Sequence, residues 1–294
     1  MENSALDALI CPVCGLEFME TLPGETALAC IDGHSFDIAR QGYANLLTGH
    51  GTKFAQDTAE MVAARDDFLD AGHYQPLANA LSDITGAVLD AAQPTGRRLI
   101  LDAGTGTGYY LQQVLARLGD GGRLGIDSVG LDISKFALRR AARRNPGTAN
   151  LVWDLWRPLP VAAGRADVVF VIFAPRNAAE FARVLKQSGR LVVVTPRPEH
   201  LAEIARPAGM LGIQPEKDAA LAGALAGHFE LVESLDESIA LSLAPQDVRN
   251  VALMGPAGHH LDAAALSRSV DGLPERSAAT AAFRISVFRP VPES

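Results

Sequence analysis

Residues 98–110, RLILDAGTGTGYY, constrain this chain more than any other stretch. Leu99-Ile100-Leu101 belongs to an apolar run suited to a buried parallel strand. Asp102 closes the run, and Gly104, Gly106 and Gly108 follow at alternate positions before a helical pattern opens at Tyr109. The order is strand, glycine turn, helix. Glycine permits positive φ and lets a ligand come up against the backbone, while the free N–H groups of a first helical turn attract an anionic group. The segment reads as a cofactor site at the carboxyl end of a strand.

Spacing narrows the cofactor. A nicotinamide dinucleotide site carries G-x-G-x-x-G with an acid about 20 residues further on, whereas here the spacing is G-x-G-x-G directly after an acid. The next strand, residues 128–132, ends at Asp132, placed to accept hydrogen bonds from two ribose hydroxyls. The glycine string alone leaves a dinucleotide or a bare structural turn open. With Asp132 in register, the pattern resembles the class I methyltransferases, which bind S-adenosyl-L-methionine. That resemblance implies that the helix N-terminus takes the methionine carboxylate, Asp132 the ribose and the Trp153-Asp154 segment the adenine. Asp102, Gly104, Gly106, Thr107, Gly108, Asp132 and Asp154 make up the cofactor-binding set in this reading.

At 294 residues, with 48% hydrophobic and 20% charged residues, the chain is long enough for a large core. Its longest apolar run, residues 168–174, is far shorter than a membrane span, and no basic-then-apolar leader is read, so no membrane partner and a cytoplasmic location are expected. The net charge of −8 argues against a nucleic-acid partner. Distribution softens that argument, because residues 97–146 hold nine Arg or Lys against four Asp, including Arg139, Arg140, Arg143 and Arg144. The cluster is either a local basic face or a solvated helix surface.

All three cysteines fall near the start. Cys11, Cys14, Cys30 and His34 form a C-x2-C-x15-C-x3-H pattern. An odd cysteine count without an export signal disfavours a disulfide framework, and four soft or borderline ligands in two close pairs suit tetrahedral Zn2+. The Cys-Pro-x-Cys-Gly knuckle turns both thiolates toward one centre. With no open ligand position the metal is expected to be structural, holding together a module too small for its own core. Residues 1–55 hold seven acidic residues against Arg40 and Lys53, so this module would recognise a partner through more than charge.

The expected organisation is a zinc-binding module at 1–50, a helical linker at 51–96, and a methyltransferase domain at 97–294. Asp57-Thr58-Ala59-Glu60 has the form of a capping box, and a second helix is expected at about 76–92. Strands are expected at 98–102, 128–132, 150–153, 167–173 and 190–195, with helices at 109–118, 135–144, 177–186 and 199–211. Further helices are expected at 217–226, 246–254 and 262–271, with closing strands at 229–241 and 280–289. This is an α/β chain with a doubly wound, Rossmann-like class I sheet and ligands along the carboxyl strand ends.

Several segments together are similar to one family, the RlmA-type 23S rRNA (guanine-N1)-methyltransferases, including the macrolide-resistance (TlrB-like) branch. They are the zinc pattern, HSFDIARQGYANLL (34–47), DTAEMVAARDDFLDAGHYQPL (57–77), LDAGTGTGYYL (101–111), GLDISKFALRRAARR (130–144), FAPRNAAEFARVL (173–185) and TPRPEHLAEI (195–204). The resemblance implies Zn2+ on Cys11, Cys14, Cys30 and His34, and donor contacts from Tyr74, Gly106, Thr107 and His200. It further implies methylation of a guanine N1 in a 23S rRNA hairpin loop near the peptide exit tunnel, and a homodimer. For the base itself, the segment after the fourth strand is the candidate pocket, with Phe173 stacking and Arg176 or Asn177 contacting O6 or a phosphate. No general base stands out in the sequence. The competing reading is a class I methyltransferase acting on a small molecule or protein, its zinc module used for oligomerisation.

Overall fold

The computed structural model describes residues 3–22, 24–49, 54, 56–91, 96–123, 125–206, 208–210, 223–259, 261 and 263–292. A short helix α1 (Asn3–Leu6) precedes a two-stranded antiparallel ribbon, β1 (Ala27–Ala29) and β2 (Ser35–Asp37). After β3 (Tyr43–Asn45) come helices α2 (Ala59–Asp70) and α3 (Gln75–Ala91). Strands and helices then alternate as β4 (Arg98–Ala103), α4 (Tyr109–Asp120), β5 (Ile126–Asp132), α5 (Lys135–Arg144), β6 (Ala149–Val152), β7 (Ala166–Ile172), α6 (Ala178–Val184), β8 (Leu185–Pro196) and α7 (Ala202–Ala205). The chain closes with β9 (Phe229–Leu243), α8 (Pro245–Met254), α9 (Ala263–Asp271) and β10 (Ser277–Pro290).

Eight of these strands make one sheet in the order β3-β6-β5-β4-β7-β8-β10-β9. All are parallel except β10, which runs antiparallel to both β8 and β9. The order reverses between β4 and β7, and that reversal opens a crevice at their carboxyl ends, directly above the glycine turn. The central strands are near-continuous apolar runs because both of their faces are covered. Side chains alternate by the two-residue strand period. Leu99, Leu101, Val169 and Val171 pack on one side with Phe181 of α6 and with Leu28, Cys30 and Phe36 of the ribbon. Ile100, Val168, Phe170 and Val192 pack on the other with residues of α3, α4, α8 and α9.

Three details depart from the expected elements. Thr58 caps α2, accepting from the Met61 N–H at 3.2 Å, while Asp57 is drawn instead to Arg65 at 2.6 Å. Helix α6 stops at Val184 because Leu185 turns extended and enters β8 without a loop; β8 thus starts at Leu185, where position 190 was expected. A register shift follows, and Gly189 sits where any Cβ would come within 3.0 Å of the Ala166 and Asp167 carbonyls. The long helix expected at 199–211 shrinks to Ala202–Ala205, beginning after Leu201 at φ 56°; positions 207 and 211 lie outside the described residues. Of the helix expected at 217–226, residues 217–222 lie outside them too, and 223–225 are helical.

The three-residue strand β3 was not anticipated. It extends the large sheet by pairing with β6, so residues 43–45 belong structurally to that sheet. The ribbon is tied on as well, through the Ile10 N–H to the Pro160 carbonyl at 3.1 Å and the Ala162 N–H to the Ala8 carbonyl at 2.8 Å. No helix among the described residues is long and apolar enough to cross a membrane.

Candidate active site and metal centre

The three glycines of the turn answer to different demands. Gly104, Gly106 and Gly108 all have positive φ, at 91°, 54° and 75°. A Cβ on Gly104 would run into Ala174, and one on Gly108 would come within 2.6 Å of the Asn145 amide. Only Gly106 faces room, its nearest neighbour being the Arg65 guanidinium at 3.7 Å. Two glycines therefore serve close packing and one leaves space for a ligand. The Gly106 N–H donates to Asp132 Oδ2 at 2.9 Å, and the Ser134 N–H donates to Oδ1 of the same carboxylate at 2.8 Å. The turn and the end of β5 consequently face one cleft.

Around that cleft lie buried polar atoms without a protein partner. Asp102 Oδ1, Thr107 Oγ1 and Trp153 Nε1 are each buried and unbonded. Such atoms are rare in a folded interior and mark where a polar ligand would complete the hydrogen bonding. Burial pushes the Asp102 carboxyl up to about 7, and it also raises Asp132, against the pull of its two backbone N–H donors. Asp154, at the end of β6, is buried and accepts from the Trp156 N–H at 3.0 Å.

The opposite rim is aromatic. Tyr74, at the head of α3, is fully buried, and its hydroxyl lies 3.3 Å from His200 Nε2. The Ala282 N–H donates to His200 Nδ1 at 3.2 Å, so Nδ1 holds the lone pair and Nε2 carries the hydrogen given to Tyr74. Burial agrees with a neutral ring, pushing His200 down to about 4. Phe283 from β10 packs edge-to-face on Tyr74, with ring centroids 4.9 Å apart, and at a tilt on His200, 4.7 Å away. Phe173, at the end of β7, has φ 56° and is 46% exposed, its ring 6.5 Å from Tyr110 and 5.4 Å from Phe283. Arg176 stands nearby in the sequence with a buried, unbonded Nε. Asn177 points its amide inward, donating to the Leu155 carbonyl at 2.9 Å.

The structure therefore gathers Tyr74 and His200 into one pair, and Asp132 with Gly106 into another. It adds three residues that sequence reasoning missed. Arg65 reaches over the turn from α2, held by Asp57 and by the Met254 carbonyl at 2.9 Å. Tyr110 carried a signal, being an aromatic in the first turn after the glycines. Phe283 carried none, since it arrives from a strand far away in the chain.

At the other end of the molecule, Cys11, Cys14, Cys30 and His34 bring their ligand atoms within 4.8 Å of one another. Cys14 Sγ and Cys30 Sγ lie 3.7 Å apart, and Cys30 Sγ lies 3.5 Å from His34 Nδ1. A tetrahedron with Zn–S of about 2.3 Å has edges of about 3.8 Å, so the donor set fits zinc. Gly15 and Gly33, at φ 75° and 84°, supply the two knuckle turns. All four ligand positions come from the protein, as a structural site requires.

A doubly wound sheet with a glycine turn bonded to an acid at the tip of the second strand defines a class I methyltransferase; residues 100–193 match the model of a methyltransferase domain. Residues 9–50 match the zinc-ribbon model described as the N-terminal part of RlmA. The chain is 42% identical to a protein of Micromonospora griseorubida provisionally named a 23S rRNA (guanine-N1)-methyltransferase, over 99% of this chain and 100% of that one. It is 38% identical to the 23S rRNA (guanine(748)-N1)-methyltransferase of Streptomyces fradiae, again over 99% and 100%. The chain belongs to this family of S-adenosyl-L-methionine-dependent 23S rRNA (guanine-N1)-methyltransferases.

Proposed function

We propose that this enzyme methylates N1 of a guanine in a hairpin loop of 23S rRNA. The observation that carries the reading is the hydrogen bond that joins Gly106 of the turn to Asp132 at the carboxyl end of the sheet, with the Tyr74–His200 pair linked through Phe283 and Phe173 to Tyr110 of the helix that follows the turn. S-adenosyl-L-methionine supplies an electrophilic methyl group, so the protein's task is placement. Asp132 takes the ribose, Trp153 and Asp154 flank the adenine, and Gly106 with Thr107 borders the methionine end. The unpaired Asp102 Oδ1 is the acceptor for the methionine ammonium. Tyr74, already receiving the His200 hydrogen, is left with its own hydroxyl hydrogen to donate toward the same ligand.

The guanine edge to be modified is its pairing edge, so the base must leave its stack. Phe173, exposed on a strained backbone beside the cleft, provides the stacking surface. Arg176 contacts O6 or a flanking phosphate with the guanidinium that has no protein partner at Nε. Asn177 fixes the loop that carries Asp154. The ribbon and helices α2 and α3 grip the RNA while the sheet holds the donor, and two copies frame a common cleft. A methyl group on a base lining the exit tunnel would obstruct macrolide contacts and confer resistance.

Incubation with labelled donor and unmodified large-subunit RNA, followed by primer extension, tests the assignment. An N1 methyl halts the reverse transcriptase at the modified guanine. A product on N7, on N2 or on a protein side chain overturns the proposal. The net charge of −8 favours the rival reading, a small-molecule or protein substrate. Transfer to RNA that weakens as salt rises separates the two.

A further inference from the structure

Helix α5 presents three different faces. Leu138, Ala141 and Ala142 are buried against the sheet. Arg140 and Arg144 turn sideways to α2, where Asp66 pairs with both and Asp70 lies 2.7 Å from Arg144. The remaining face carries Lys135, Phe136, Arg139 and Arg143, all exposed and, at 3.6 residues per turn, confined to an arc of about 100°. Phe136 is 41% exposed with the Arg139 guanidinium 5.4 Å from its ring centroid.

These cations differ from most of their kind here. Arg65, Arg117, Arg123, Arg183, Arg249 and Arg289 each hold a carboxylate. Lys135, Arg139 and Arg143 have no carboxylate partner among the described residues, nor does Arg40. Arg40 sits in the turn that packs on the same helix, where a Cβ on Gly42 would lie 3.9 Å from Ala142 Cβ. At the other end, Ser134 caps α5 two residues after Asp132, at the cleft itself. The stripe thus runs from the root of the zinc ribbon to the mouth of the cleft, in a chain whose net charge is −8. Unpaired cations interleaved with an exposed aromatic fit a polyanion carrying stackable rings.

Resting on the reading that RNA is the substrate, we propose that Lys135, Phe136, Arg139 and Arg143, with Arg40, form the track that holds the RNA strand leading into the cleft. The cations take consecutive phosphates and Phe136 takes the face of a base. None of these residues is among those assigned above to the methyl donor, so the contribution of this face is to RNA binding and not to the transfer step.

The test uses the full-length protein and an unmodified large-subunit RNA hairpin fragment. One variant combines Lys135→Gln, Arg139→Gln and Arg143→Gln, and a second is Phe136→Ala. A control combines Arg165→Gln, Arg206→Gln and Arg268→Gln, three exposed cations that remove the same charge elsewhere. The stripe variant is expected to raise the RNA KM about tenfold or more and to reduce the slope of log affinity against log salt by about two to three. Its kcat and its affinity for S-adenosylhomocysteine should match wild type, and Phe136→Ala should raise KM with little change of slope. The control should stay within about twofold of wild type in KM. The proposal is overturned if stripe and control variants behave alike, or if the stripe variant binds RNA with an unchanged slope, as it would were this face a protein-docking surface. A wild-type enzyme that neither binds nor methylates the RNA would instead remove the reading of the substrate.

Discussion

Gly104 and Gly106 stand two positions apart in one turn, yet their replacement should fail in different ways. Gly104→Ala drives a methyl group into Ala174 at a backbone angle of φ 91°, and should destabilise the fold by about 2–3 kcal/mol in a denaturant titration. Gly106→Ala meets no atom closer than 3.7 Å and should cost about 1 kcal/mol, while S-adenosylhomocysteine binding by calorimetry falls at least tenfold. Asp102 offers a second test. Its carboxyl titrates at about 7 in the fold against an unfolded value of 3.8. The folded state thus binds more protons between those values, and the group's contribution to stability is lost as pH rises from about 4 to 7. A cationic ligand favours the ionised form, so donor affinity should climb with pH up to about 7 and then level, with proton release on binding below that point. Asp102→Asn should flatten the profile; a wild-type affinity independent of pH would show that the ammonium lies elsewhere.

At the level of elements, legibility followed locality. The glycine turn, Asp132 and the zinc knuckles were readable because each is a short segment whose residue types and spacing carry the geometry. The capping of α2 was displaced by one residue because Arg65 competes for Asp57, a side-chain contact that no local propensity encodes. Helix α7 is shorter than the expected 199–211 because the chain turns through positive φ at Leu201 and leaves the helix again after Ala205. Strand β3 was too short to announce itself, and its existence depends on an open edge at β6. For the ribbon, Cys30→Ser should release the metal and make residues 9–50 the first cleaved in limited proteolysis, while fragments spanning β4 to β8 persist. Equal protection of both regions would mean that packing against the sheet, and not zinc, holds the ribbon in place.

For the molecule as a whole, the arrangement that matters is the convergence of distant segments on one crevice. Tyr74 arrives from α3, His200 from beyond β8, and Phe283 and Ala282 from β10. Sequence reasoning found Tyr74 and His200 only through resemblance, since nothing between residues 74 and 200 signals that they meet. His200 titrates near 4 in the fold against an ordinary 6.5, so the unfolded chain binds the extra proton between those values. Stability should therefore fall as pH drops from 6.5 toward 4, by at most about 3 kcal/mol from this residue. Thermal melts of wild type and His200→Gln should diverge across that window and run parallel above it.

The placement of β10 between β8 and β9 carries a consequence for how such an enzyme is made. The backbone amide that orients His200 belongs to a strand translated some 80 residues after it, inserted between two strands already synthesised. A nascent chain stopped before residue 277 owns its glycine turn but not the imidazole's anchor. The Tyr74–His200 pair is therefore the last part of the crevice to be fixed, completed only when the final strand is threaded between two that are already in place.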